Sequence, residues 1–213
     1  MSRPPRPGFA CAVAGFLALT VVGAGSSGAA GLPAPKFAST VDIGLVSGVV
    51  VVTPRHGRSF RLGPTDRSVP VGSRIDTRHG EVDLRTAFAP DHPGKGVQDG
   101  QFAGGQFAIL QRAAQQGLGV LDLVRPANAG ALCRTRAARA SRRVVALLRA
   151  KVHGSFRTRG RYSAATVRGT AWDTIERCDG TLTQVHRGVV SVLDLVRHKT
   201  IALRAGQSYL AKP

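Results

Sequence analysis

Aromatic side chains are scarce in this 213-residue chain, at 5%, and Trp172 is the only tryptophan. That scarcity argues against nucleic acid as the partner, because sites for unpaired strands stack bases on aromatic rings. The six histidines, His56, His79, His92, His153, His186 and His198, are scattered. None has H-x-x-x-H spacing, so no metal site is legible, and no cofactor or enzymatic activity is expected. Beyond residue 30 no apolar run approaches the roughly 20 residues of a spanning helix. Acidic residues are also few: 12 stand against 30 basic ones, and arginine supplies nearly all of the surplus.

What is present at the start is the layout of a secretory leader. Arg3 and Arg6 precede an uncharged apolar run over 9–22, followed by small residues over 23–31, so residues 1–30 are expected to be a signal peptide and 31–213 a single domain in the cell envelope or outside the cell. Cys11 would leave with the leader. Cys133 and Cys178 would then be the only cysteines of a chain sent to an oxidising compartment, and they are expected to pair. The formal net charge is +18, and losing Arg3 and Arg6 would leave about +16. Such a field draws polyanions. For an exported protein these are wall polymers, acidic polysaccharides and the anionic surface of a membrane.

Short Val-, Ile-, Leu- and Thr-rich segments punctuated by Gly, Pro and Asp predict strands over 41–53, 59–62, 69–76, 81–86, 106–111, 120–124, 165–175, 181–186, 188–193 and 200–204. The stretch 89–105, with Pro90, Pro93 and several glycines, reads as a mobile loop. Residues 135–150 lack Gly and Pro and place Val144, Leu147 and Leu148 at helical spacing, which predicts a helix. The expected fold is mainly β, a jelly-roll or β-roll sandwich with one inserted helix. Trp172 is expected in its core, with sugar stacking as the other use of an isolated tryptophan.

Val71, Gly72, Ile75 and Thr77, then Ala165-Thr-Val-Arg-Gly-Thr170, the turn Asp179-Gly180, the run from Val185 to Val192, and Arg204-Ala-Gly-Gln-Ser208 together resemble the FecR family of extracytoplasmic domains. The resemblance covers most of 45–210, with the helical insert at about 134–157 outside it. It implies a binding, regulatory or sensory module. With only eight residues ahead of Phe9, the cytoplasmic arm by which the best-known members hold a sigma factor is not expected. Gly169, Gly188 and Gly206 are expected at turns or close approaches.

The binding face is placed on Arg142, Arg143, Arg157, Arg159, Arg161 and Arg168, toward an anionic envelope polymer or an envelope protein. The competing enzymatic reading is a sortase-like cysteine transpeptidase built on Thr174-Ile-Glu-Arg-Cys178, with Arg187 as oxyanion donor and His92 or His153 as base. It requires a free Cys178 thiol.

Overall fold

Residue-by-residue alternation of buried and exposed side chains runs through most of the chain, and strands account for it. The computed structural model describes Met1 and residues 34–92 and 96–213, so the expected leader lies outside the described residues. The strands are β1 (Thr40–Thr53), β2 (Phe60–Arg61), β3 (Arg67–Pro70), β4 (Arg74–Ala87), β5 (Val97–Ala103), β6 (Gln106–Leu110), β7 (Gly119–Leu123), β8 (Val144–His153), β9 (Ser155–Arg159), β10 (Ser163–Arg168), β11 (Ala171–Arg177), β12 (Gly180–Arg187), β13 (Val189–Asp194), β14 (Lys199–Arg204) and β15 (Ser208–Ala211). Two short helices, α1 (Ala129–Leu132) and α2 (Arg136–Arg139), lie between β7 and β8. Among the described residues no helix is long and apolar enough to cross a membrane.

The strands form a nearly closed, barrel-like sheet whose two halves pack face to face. One layer runs β14-β13-β10-β9-β7-β6 and the other β15-β12-β11-β8-β5. They meet at β4, which pairs with β6 through Arg74–Asp76 and with β5 through Glu81–Ala87, while β1 follows its other edge. After β5 the chain places strands in the two layers alternately, mostly in hairpin pairs. It crosses between β7 and β8 through the segment of α1 and α2, and elsewhere at glycines: Gly104-Gly105, Gly154, Gly169, Gly188 and Gly206. Gly188 has φ +79°, and a Cβ there would sit 2.6 Å from the Thr170 hydroxyl at the neighbouring crossing. At Gly105 a Cβ would run into the backbone oxygen of Leu147. Two chain corners can approach this closely only where the side chain is missing.

Between the layers, Phe102 of β5 packs against Phe107 and Phe156, each with ring centroids 5.7 Å apart. Trp172 is fully buried, as expected, and its indole N–H donates to the Thr158 hydroxyl across the core at 2.9 Å. At the far side Asp194 of β13, with no exposed surface, ties the layers together by accepting from the Tyr209 hydroxyl of β15 at 2.7 Å. Burial alone would raise its pKa. The backbone N–H of Arg197, the Tyr209 hydroxyl, the N–H of Val196 and the Arg197 guanidinium outweigh that and bring it from 3.8 to about 2. A depressed carboxylate contributes stability that is complete above its unfolded pKa and lost as pH falls through the folded value. Acid titration of the wild type should therefore show a stability loss between about pH 4 and pH 2 that Asp194→Asn lacks, and identical acid profiles for the two proteins would refute this.

Several expectations change. Of the helix over 135–150 only Arg136–Arg139 is helical, capped by the Thr135 hydroxyl accepting from Ala138 N–H at 3.0 Å. From Val144 the chain is β8, with Leu148, Ala150 and Val152 buried and Arg149, Lys151 and His153 exposed. Its place between β5 and β11 overrides the helical preference of Ala, Leu and Arg. The expected insert over 134–157 therefore supplies two core strands, β8 and β9. The loop over 89–105 contains β5, in which the buried Gly100 makes room for Val152, whose Cγ1 would lie 2.6 Å from a Cβ there. The single strand over 165–175 is two strands in opposite layers. The β11–β12 turn falls on Cys178 and Asp179, one residue before the expected Asp179-Gly180.

Candidate polyanion-binding face

On β9, Phe156 and Thr158 point into the core and Ser155, Arg157 and Arg159 point outward. On β10, Thr166 and Arg168 share that outer face. The antiparallel register sets Arg168 beside Ser155, Thr166 beside Arg157 and Ala164 beside Arg159, so the outer side chains stand in three successive rows. Continuing outward, Val189, Ser191 and Leu193 of β13 extend the same rows, and Arg204 of β14 extends the first of them beyond Val189.

Two adjoining depressions follow these rows. One, of about 400 Å³, is lined by Ser155, Thr166, Arg168, Val189, Ser191 and Gln115. The other, of about 150 Å³, is lined by Arg112, Arg157, Arg159, Leu193, Leu195 and Gln115. Arg157 Nε donates to the Thr166 hydroxyl at 2.8 Å, which holds its guanidinium over β10. Arg159 pairs with Asp122 of β7, the acid within these rows. The face therefore carries Arg112, Arg157, Arg159, Arg168 and Arg204 against one carboxylate.

Of the six expected binding residues the fold brings Arg157, Arg159 and Arg168 together. Arg161 sits at the β9–β10 turn, its guanidinium 5.1 Å from the Tyr162 ring centre and its N–H donating to buried Glu176 at 2.9 Å. Arg142 and Arg143 do not join the face. They lie in the segment between α2 and β8, where the Arg143 carbonyl accepts from Cys178 N–H at 3.0 Å. Arg112 and Arg204 were missed by the sequence reading. Alternation along β14 marks Arg204 as outward once the strand is known, whereas nothing near Arg112 in the chain points to the face.

No protein-family model, curated protein or solved structure matches this chain. Cys178 and Cys133 form a disulfide with their Cα atoms 5.3 Å apart, so the thiol required for cysteine transpeptidase chemistry is absent in this state. His153 lies 3.4 Å from Asp99 and His186 lies 3.1 Å from Asp173. Both pairs are on the outer side of the other layer, where β5, β8, β11 and β12 alternate in the same manner.

Proposed function

We propose that the protein is an exported, non-catalytic, FecR-like binding module that holds an anionic polymer of the cell envelope on the outer face of β9 and β10. The observation carrying this reading is the convergence of Arg157, Arg159 and Arg168 from alternate strand positions onto one face, with Arg112 across the depression. The Cys133–Cys178 disulfide is compatible with an oxidising, extracytoplasmic location. Export itself rests on the leader-like layout of residues 1–30, and the FecR likeness rests on the motifs over 71–77 and 165–208.

Charge alone would make every arginine equivalent, so the test compares two quadruple variants of equal net charge. Replacing Arg112, Arg157, Arg159 and Arg168 by Gln is expected to weaken binding to an acidic polymer by about 2 kcal/mol if each exposed pair contributes about 0.5 kcal/mol. Replacing Arg134, Arg136, Arg139 and Arg142, which flank and form α2, is expected to cost well under half of that. Affinities measured across a salt series decide it, because a charge-driven contact weakens steeply with ionic strength. Equal losses in the two variants would leave general electrostatics as the whole effect.

A further inference from the structure

The spacing of the arginine rows narrows the class of polymer, on the premise that this face binds a polyanion at all. Outward positions on a strand recur every second residue, so neighbouring rows on β9 lie roughly 6.6 Å apart. Arg168 and, further out, Arg204 stand in the row of Ser155, Arg157 stands in the next and Arg159, paired with Asp122, in the third, so every row along the strand direction carries a guanidinium. A chain of three backbone bonds per residue reaches at most about 3.6 Å per residue, so six single bonds reach about 7 Å. A linear polymer with one anionic group every six backbone bonds is therefore commensurate with the rows.

A phosphodiester chain joined through three-carbon units has that repeat: phosphorus, oxygen, three carbons and oxygen. Its phosphates suit arginine, whose planar fork binds phosphate oxygens in pairs. Its carbon spacers suit the flank, where Val189 and Leu193 of β13 are exposed beside the rows and Leu195 lines the depression. Nucleic acid strands carry phosphates at a similar bond count, but the side chains of these rows, namely Ser155, Arg157, Arg159, Ala164, Thr166, Arg168, Val189, Ser191, Leu193 and Arg204, include no aromatic ring for stacking, and the imidazole that lines the adjoining depression, His92, is already stacked on Phe88 with ring centroids 4.6 Å apart. We infer that the face reads the repeat of a base-free poly(glycerol phosphate)-type chain laid along β9 and β10.

Titration of the intact wild-type protein with poly(glycerol phosphate), poly(ribitol phosphate), polyglutamate and oligothymidylate of equal charge number tests this. Poly(glycerol phosphate) should bind about tenfold more tightly than the others, equivalent to about 1.4 kcal/mol. Its log–log salt slope should be about −2 to −3 for three or four phosphates, taking the coefficient of a flexible single strand. Arg157→Gln and Arg168→Gln should each erode the preference, and Arg136→Gln should leave it intact. Equal affinity for all four polymers overturns the spacing inference while sparing polyanion binding. Tightest binding to oligothymidylate overturns it in favour of a nucleic acid face. Binding to none of them overturns both the inference and the proposed function.

Discussion

Removal of the Cys133–Cys178 bridge is expected to lower the unfolding free energy by about 4 kcal/mol, from a chain-entropy estimate for the 45-residue separation. The loop it closes contains α2 and all of β8, β9, β10 and β11, so the reduced chain must order two strands of each layer without a covalent boundary. Ordinary domains have about 5–15 kcal/mol in total, which makes this a large fraction. For a domain of this size the melting temperature should fall by about 8–16 °C. Melts of the wild type with and without reductant, and of the Cys133→Ser/Cys178→Ser double variant, measure it, and the oxidised mature protein should weigh two hydrogens less than its sequence. Unchanged melting would refute the structural role. A reactive thiol at Cys178 in the native protein would instead return cysteine chemistry to consideration.

Truncating Trp172 is expected to be comparably severe. The side chain is fully buried, and its indole N–H ends on the Thr158 hydroxyl, which itself lies 2.6 Å from the Thr174 hydroxyl. Trp172→Ala should cost about 3–5 kcal/mol, the usual range for emptying a large aromatic site. Trp172→Phe keeps much of the volume and loses the hydrogen bond, so about 1–2 kcal/mol is expected. Denaturant unfolding followed by circular dichroism reads both, since the tryptophan signal is lost with the residue. A sugar-stacking tryptophan would behave in the opposite way, with ligand affinity lost and stability retained.

The places where sequence reasoning failed share one cause. In β8, the spacing of Val144, Leu147 and Leu148 matches a helix as well as it matches chance, and Val144 is 54% exposed while Leu148 is fully buried. Only pairing with β5 and β11 selects the strand. In β5, Gly100 reads locally as a chain breaker, and its packing role exists only because Val152 and Phe102 converge on it. Arg142 and Arg143 are close in sequence to Arg157 yet belong to another part of the molecule. Between them and Arg157 the chain runs the length of β8 and crosses from one layer to the other at Gly154.

By itself the sequence determined the mainly β class, most strand positions, the pairing of Cys133 with Cys178, the burial of Trp172 and the large positive charge. These follow from local alternation, turn residues and composition, which each short stretch of chain carries within itself. Tertiary structure alone decided the division into two layers, the strand identity of 144–153, the glycine crossings and the membership of the arginine face. Those depend on which distant segments pair, and in what register: Arg168 stands beside Ser155, and so in line with Arg157 and Arg159, because the β9–β10 hairpin aligns them, with Arg112 brought across the depression by the return of the chain between β6 and β7.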